Sequence, residues 1–247
     1  MSETHRPPKN RQLPPADDPL EIIRWALDRF AGWRSVATSG LGMEGCVLLD
    51  LLDRAEADLE VLFIDTGLLF SETLELRERL AQRYPRLTLR TLTPRATPEE
   101  QAAEHGEALW LRDPDRCCSL RKVQPLAPAL EGVDVWFTGL RRQQSETRAD
   151  IHPVEWDWQR QLLKVHPLAT WSRARVWRYA QEHEVPTNPL HLQGYPTLGC
   201  TPCTEPVAGA GPETESRAGR WAGRAKTECG LHLPSSTSTA DADRTSP

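Results

Sequence analysis

Short apolar runs alternate along most of the chain with stretches whose apolar positions recur at helical spacing. Residues 35–38 form a short run of β-branched and small residues, and residues 61–64, 87–92 and 133–137 are three further predicted strands. Residues 19–30, 46–52, 71–84 and 173–184 have the spacing of amphipathic helices. This alternation predicts an α/β fold with a mainly parallel sheet flanked by helices.

Local signals mark where several of these elements begin and end. Asp17 or Asp18 is available to cap the first helix, and Thr97 followed by Pro98 and Glu100 predicts another helix start. A helix over residues 117–130 is interrupted by prolines, and residues 154–158 and 162–166 suit a hairpin at the sheet edge.

Periodicity fades beyond Val185, where prolines recur and Gly, Ala and charged residues follow. We therefore expect four parts. Residues 1–18 form a disordered N-terminal tail, 19–206 the α/β domain, 207–233 a mobile and flexible C-terminal segment, and 234–247 a second disordered tail.

Composition narrows the function classes. A net charge of −5 argues against general binding to nucleic acid or anionic membranes, and no apolar run has the length of a membrane span. The N-terminus has no signal-peptide pattern, so we expect a cytoplasmic protein. In that reducing compartment the six cysteines are better suited to metal binding, catalysis or burial than to disulfides.

Two turns after predicted strands have the composition of ligand-binding loops. The loop 39–45 begins with Ser39-Gly40 and leads from a strand into a helix, an arrangement that binds anions. Asp65, Thr66 and Gly67 follow the next strand, at the sheet edge where ligands bind. A structural turn and a capping Asp65 remain alternatives for these two loops.

Four cysteines form two close pairs, Cys117-Cys118 and Cys200-x-x-Cys203. Adjacent helical side chains diverge, which disfavours a single tetrahedral zinc and favours the wider ligand spread of a 4Fe-4S cluster. Zinc, a disulfide or buried thiol pairs stay open. Cys46, on the apolar side of its predicted helix, is expected in the core.

A sixth cysteine, Cys229, lies in a polar stretch near the C-terminus, where core packing is improbable. Cationic residues are frequent in the irregular segments before it, and a cationic neighbour stabilises a thiolate. Their clustering suggests a substrate with several negative charges. These cations are Lys122, Arg141, Arg142, Arg148, Arg217, Arg220, Arg224 and Lys226.

Taken together, these motifs resemble the cluster-containing assimilatory adenylyl-sulfate reductases of the PAPS/APS reductase family. The resemblance spans residues 19–233. The motifs that carry it are Cys117-Cys118 with Arg121-Lys122, Thr138-Gly139-Leu140-Arg141-Arg142-Gln143 with Ser145, Thr147 and Arg148, Cys200-x-x-Cys203, Arg217-x-Gly219-Arg220-Trp221 and Glu228-Cys229-Gly230-Leu231-His232. It implies an adenine nucleotide α-hydrolase-like fold with a modified PP-loop and no hydrolase activity. The loop 39–45 is longer than the serine-rich loop of that family.

The resemblance also implies roles. Cys117, Cys118, Cys200 and Cys203 would bind a 4Fe-4S cluster, with Lys122 between cluster and substrate. Arg141 or Arg142, with Arg217 and Arg220, would hold the phosphosulfate. Cys229 would attack adenosine 5'-phosphosulfate, and reduced thioredoxin, or a glutaredoxin-like donor, would release sulfite.

Three alternatives remain at this point. The first is reduction of 3'-phosphoadenylyl sulfate, alone or with adenylyl sulfate. The second is a PP-loop enzyme that thiolates tRNA, which the acidic balance disfavours. The third is a zinc-stabilised nucleotide-binding module without catalysis. The sequence leaves open whether the chain forms a homo-oligomer.

Overall fold

A six-stranded, mostly parallel sheet organises the computed structural model, which describes residues 18–232. The strands are β1 (Ser35–Thr38), β2 (Leu59–Ile64), β3 (Leu87–Leu92), β4 (Val135–Thr138), β5 (Val154–Asp157) and β6 (Leu162–Val165). Their order is β3-β2-β1-β4-β6-β5, and only the β5–β6 pair is antiparallel. The predicted edge hairpin is therefore confirmed.

Helices connect the strands and cover both faces of the sheet. They are α1 (Pro19–Arg29), α2 (Met43–Arg54), α3 (Ser71–Arg83), α4 (Pro98–His105), α5 (Leu109–Arg112), α6 (Pro114–Cys118), α7 (Gln124–Ala129) and α8 (Arg173–Glu182). A π-helical stretch, Ser119–Val123, joins α6 to α7. No helix within residues 18–232 combines the length and apolar character needed to cross a bilayer.

Alternating residues of the strands pack into two apolar cores, one on each face of the sheet. Ala37 of β1 belongs to the larger core with residues of α1, α2 and α8, whereas its neighbour Val36 belongs to the core under α7. Successive strand residues point to opposite faces, so a strand buried on both faces must be apolar throughout. This requirement explains why Val36 and Ala37 in the middle of β1 are both apolar, as are residues 135–137 of β4.

The two predicted helix caps agree with the structure, but two predicted helices differ in extent. Asp18 accepts hydrogen bonds from two N–H groups of α1, and Thr97 forms a capping box with Glu100. The helix expected over 46–52 spans Met43–Arg54. The helix expected over 117–130 begins at Pro114 instead and continues through the π-helical stretch. Pro125 lies in the first turn of α7, where proline is tolerated, and α7 ends one residue after Pro128.

The expectations for the two tails fall outside the described residues, apart from Asp18. Residues 207–232, called the C-terminal segment below, pack back toward the carboxyl edge of the sheet. One backbone bond joins Glu205 N–H to the Gly219 carbonyl (2.8 Å), and another joins Trp221 N–H to the Cys203 carbonyl (3.1 Å). The segment thereby comes to lie over the strand ends.

Candidate active site

A cavity of about 250 Å³ opens at the carboxyl ends of β1, β2 and β4. Thr38 ends β1, Thr66 follows β2, Thr138 ends β4, and all three residues line the cavity. Connections from β1 lead to β2 on one side, while β4 lies on the other. Open α/β sheets bind ligands at such a switch in strand order.

The loop between β1 and α2 forms one wall of the cavity. Ser39 Oγ accepts a hydrogen bond from Leu41 N–H (3.1 Å), and no side chain caps α2 at Gly42. The first N–H groups of α2 have no partner within the helix and are available to an anion. At Gly45 a Cβ atom would lie 2.3 Å from Ser39 Oγ, so a side chain at this position conflicts with the loop.

Behind this loop lies a buried ion-pair network. Arg141, which is completely buried, donates to Glu44 (2.8 Å) and to Glu215 of the C-terminal segment (2.7 Å), and Arg173 donates to Glu44 (2.9 Å). Burial raises the pKa of Glu44, but Arg173 and Arg141 outweigh burial and hold this pKa far below its usual range. The network therefore fixes the start of α2 with an ionised carboxylate.

Cationic side chains face the loop from the other elements around the cavity. Lys122 comes from the π-helical stretch, Arg148 from the loop after β4, and Arg217 and Arg220 from the C-terminal segment. Arg220 also stacks on Trp221, with its guanidinium carbon 4.4 Å from the ring centroid. A local excess of cations in an acidic protein suits a compact, multiply charged anion.

A second, smaller cavity adjoins the first and contains the four paired cysteines. Cys117 and Cys118 of α6 and Cys200 and Cys203 line it, and all four are buried free thiols. Lys122 lines both cavities. The two cysteine pairs are thus brought together, with a cation between them and the larger cavity.

The environment of these thiols is not uniform. Burial raises the pKa of Cys118 to about 11 and also raises the pKa values of Cys117 and Cys203. Burial likewise acts to raise the pKa of Cys200, but Lys122 and a hydrogen bond from Thr66 (3.3 Å) lower it overall. At Cys200 alone among the four thiols, the cationic surroundings outweigh burial.

The chemistry of this donor set fits a polynuclear cluster. Within residues 18–232 no three His, Cys, Asp or Glu side chains are placed so that they could hold a metal ion. A cubane cluster takes one thiolate for each iron atom, so its four ligand sulfurs lie further apart than those of a single ion. Four buried thiols around one cavity match that requirement in number and kind.

Cys229 lies where the two cavities meet. It lines the larger cavity and packs against the cluster of Cys118, Cys200, Cys203 and Trp221. Next to it, Glu228 accepts from Arg148 (2.7 Å), and Arg217 donates to the Thr227 carbonyl (2.9 Å). Cys229 is partly exposed, in contrast to Cys46, which is buried and whose pKa burial raises to about 12.

Of the ten predicted substrate-binding residues, six line the larger cavity and four do not. Ser39, Gly40, Thr66, Lys122, Arg217 and Arg220 line the larger cavity. Asp65 instead accepts from Gly67 N–H (2.8 Å) in a tight turn where Gly67 has φ +67°. Arg141 lies in the ion-pair network, and Arg142 donates to the Ile151 carbonyl (2.8 Å).

Two residues of the site, Glu44 and Arg173, were not found by sequence reasoning, and they form the network behind the loop. Arg148 was among the predicted cations and Glu228 was part of the motif around Cys229, but their pairing over the cavity was not predicted. Thr138 could have been found, because it ends a buried strand at the ligand edge. A glutamate inside an anion-binding loop, such as Glu44, is also a signal, since it requires a buried cationic partner.

A parallel sheet with a glycine-containing loop at its switch point and a thiol facing several cations defines a nucleotide-binding α/β protein equipped for thiol chemistry. The profile of the phosphoadenosine phosphosulfate reductase domain matches residues 34–206. The chain belongs to this family of PAPS and APS reductases.

Similar proteins agree with this assignment. Adenosine 5'-phosphosulfate reductase of Shouchella clausii is 46% identical over 217 residues, which is 88% of each chain. Adenosine 5'-phosphosulfate reductase 1 of Bacillus subtilis is 46% identical over 222 residues, covering 88% of this chain and 94% of that one.

Solved structures show the same fold. The phosphoadenylyl-sulfate reductase of Candida auris, crystallised as a phosphate complex, aligns with a TM-score of 0.65 at 30% identity, covering 77% of this chain and 90% of that one. FMN adenylyltransferase of Candida glabrata aligns at 0.56 with 16% identity, covering 77% of this chain and 65% of that one, a similarity of fold alone. The expected α/β fold of the PP-loop type is confirmed.

Proposed function

We propose that this chain is an oxidoreductase that reduces adenosine 5'-phosphosulfate to sulfite and AMP in sulfate assimilation, with Cys229 as the nucleophile. One observation carries the proposal: a partly exposed thiol shares a cavity with a glycine-containing loop and with Lys122, Arg217 and Arg220. Relatives that match 88% of the chain are named for this substrate. The thiol supplies the nucleophile, and the loop and cations supply the anion site.

In the first step the Cys229 thiolate attacks the sulfur of the substrate. A sulfur–sulfur bond forms while the sulfur–oxygen bond to AMP breaks, and AMP leaves with the electron pair. The product on the enzyme is S-sulfocysteine. Charge develops on the leaving phosphate and is spread over the transferred oxygens, so alignment and cationic stabilisation are the main requirements.

The cavity residues divide these tasks. The N–H groups at the start of α2, with Ser39 and Gly40, bind phosphate oxygens, and Thr66 borders the same site. Lys122, Arg217 and Arg220 neutralise the phosphosulfate. Arg141 acts from behind, by holding Glu44 and hence the loop. Asp65 and Gly67 shape the turn after β2, and Arg142 fastens the loop after β4.

In the second step a dithiol reductant, reduced thioredoxin or a glutaredoxin-like donor, regenerates the enzyme. A reductant thiolate attacks the Cys229 sulfur, sulfite leaves with the electron pair, and a mixed disulfide remains. The second reductant thiol displaces Cys229 as a thiol, so both electrons come from the reductant. A cytoplasmic location would supply such donors. Cys229 must be enclosed in the first step and accessible in the second.

We further propose that Cys117, Cys118, Cys200 and Cys203 hold a 4Fe-4S cluster. When bound, the cluster would tune the electrostatics of the neighbouring site through its charge and its thiolates. Lys122 lines both cavities, and this position supports an electrostatic link between the cysteine site and the substrate site. Its ammonium group balances thiolate charge on one side and faces the substrate on the other.

The nucleophile assignment is tested by trapping the intermediate. Protein incubated anaerobically with adenosine 5'-phosphosulfate and no reductant should gain the mass of one SO3 group on the peptide that contains Cys229. The Cys229→Ser variant should gain none and lose turnover, because serine is a far weaker nucleophile at neutral pH. Iron content and the visible spectrum should match the wild type.

Cys46→Ala provides the control, since Cys46 is a buried thiol of the core. It should keep both the adduct and the turnover. Retained turnover in Cys229→Ser would contradict the assignment. Assays with 3'-phosphoadenylyl sulfate at low concentration, run in parallel, test the alternative substrate through the ratio of the two kcat/KM values.

A further inference from the structure

The carboxylate of Glu228 makes more polar contacts than any other side chain near Cys229 within residues 18–232. Arg148 donates to it at 2.7 Å, Ser145 at 2.9 Å and Thr147 at 3.4 Å, and Arg217 lies 3.5 Å away. Ser145, Thr147 and Arg148 all belong to the loop after β4. The residue that precedes the nucleophile is therefore bound by another part of the molecule.

These contacts are sheltered from water. The side chains of Glu228 and Arg148 are 16% and 10% exposed. The neighbouring ion pair of the segment joins Lys226, whose side chain is 7% exposed, to Asp115, whose side chain is 83% exposed. Exposed ion pairs contribute little, whereas a sheltered, charge-assisted pair contributes more. Glu228 is thus the stronger attachment of the stretch that carries Cys229.

The charge state of Glu228 agrees with this role. Burial raises its pKa, but Arg148 and Arg217 outweigh burial, so the pKa lies below its usual value and the group is ionised at neutral pH. A carboxylate next to a reactive thiol would by itself disfavour the thiolate. Its pairing with Arg148 neutralises the carboxylate charge, so Glu228 attaches the C-terminal segment to the loop after β4 without opposing the thiolate.

We propose that Glu228 is a positioning residue that latches the C-terminal segment to Arg148 and so seats Cys229 in the cavity. The latch holds Cys229 against the anion site, and its opening exposes the thiol. Arg217 is shared between the latch and the cavity, since it approaches Glu228 and also lines the substrate site. This inference deepens the proposed function and rests on Cys229 being its nucleophile.

The test is the rate at which iodoacetamide alkylates Cys229, resolved by peptide mass so that other thiols do not contribute. Glu228→Gln removes the charge and keeps the shape, so alkylation should accelerate about tenfold, the factor expected for loss of one charge-assisted hydrogen bond. Glu228→Asp should give an intermediate rate. Glu213→Gln, an equal charge change at an exposed position of the same segment, should leave the rate unchanged.

The reciprocal variant checks the partner. Arg148→Gln should also accelerate alkylation, and the double variant with Glu228→Gln should be no faster than the faster single variant, because both remove one interaction. In turnover assays Glu228→Gln should lower kcat about tenfold and change KM less. A wild-type alkylation rate in Glu228→Gln, or full additivity in the double variant, would overturn the latch.

Failure of the latch and failure of the proposed function can be told apart. Alkylation needs neither nucleotide nor reductant, so it reports on the segment alone. If the wild type forms no sulfite but Glu228→Gln is alkylated faster, the latch stands and the substrate assignment fails. If the wild type forms sulfite and alkylation is unchanged in Glu228→Gln, the substrate assignment stands and the latch fails.

Discussion

Glu44 carries its charge in the protein interior because two arginines face it. Removing either arginine would leave the buried Glu44 with one cationic partner in place of two, which is costlier than losing an exposed ion pair. Arg141 therefore matters to the site although it lies behind the loop and not in the cavity lining. Its contact with Glu215 also joins the network to the C-terminal segment.

His191 shows the opposite situation, a titratable group that burial keeps neutral. It is 1% exposed, and its Nδ1 lies 2.8 Å from the Tyr195 carbonyl. Burial, reinforced by Arg173, lowers its pKa to about 4. Because Nδ1 pairs with a carbonyl, the neutral ring carries its proton on that atom and donates it.

This residue predicts a pH dependence of stability. Below the ordinary histidine pKa of about 6.5, the unfolded chain binds a proton at His191 that the native chain does not bind. The free energy of unfolding therefore decreases as the pH is lowered from about 6.5 to about 4. Between pH 7 and 5.5 the loss from this residue should be about 1 kcal/mol. Urea unfolding of His191→Gln should show a correspondingly shallower pH dependence.

The exposed His152 provides the control for this measurement. His152→Gln, which removes an exposed ring in place of a buried one, should keep the pH dependence of the wild type. Equal slopes for wild type and His191→Gln would contradict the assignment of a neutral, buried His191.

At the scale of elements, the turn between β1 and α2 determines the shape of the anion site. Ser39 Oγ accepts from Leu41 N–H, and the third residue of α2, Gly45, leaves room for that hydroxyl. The conformation of the loop therefore requires a residue without a side chain at position 45 of α2.

Gly45→Ala should separate loop geometry from helix stability. Alanine favours a helix over glycine by about 1 kcal/mol, so a purely helical effect would stabilise α2. The added Cβ would instead displace Ser39 Oγ and break its hydrogen bond, and KM for adenosine 5'-phosphosulfate should rise about tenfold. Gly211→Ala, where nothing lies within 4 Å of the added atom, should leave KM unchanged. An unaltered KM in Gly45→Ala would show that the loop tolerates the methyl group.

Local patterns predicted the sheet well because β4 has consecutive apolar residues buried on both faces, and the edge strand β3 buries Leu87, Leu89 and Leu92. The boundaries of β1 and β3 agree with prediction, and those of the other strands shift by one or two residues. Helix α5 was not predicted, and only the last two residues of α6 were, since α5 spans four residues and α6 five, which is too short to show helical periodicity. The π-helical stretch has no sequence pattern of its own.

The residues of the site could be predicted only where they form a local sequence pattern. Cysteine pairs and strand-end residues are visible in the sequence, and the structure brings the cysteine pairs to one cavity. The pairing of Arg141 with Glu44 and Glu215 joins residues 97 and 74 positions apart. Nothing in the local sequence of an arginine tells whether its partner is a carboxylate of the chain or a substrate.

At the scale of the whole molecule, the cysteine cavity connects elements that are distant in sequence. Cys117 and Cys118 belong to α6, and Cys200 and Cys203 flank a turn on which the C-terminal segment rests. Arg220 additionally bonds to Thr204 beside that turn. A group held by all four thiols would therefore stabilise the platform under the segment that carries Cys229.

Removal of that group should loosen the platform and leave the sheet intact. Four buried thiols without their ligand lose the bonds that join α6 to the turn, while the two apolar cores retain their packing. Amide exchange of anaerobically purified protein should be compared before and after iron chelation. Exchange should accelerate in residues 200–206 and 217–229 and stay unchanged in β1, β2 and β4. A uniform increase would mean that the cysteines stabilise the whole fold, and no change would mean that they do not support the segment.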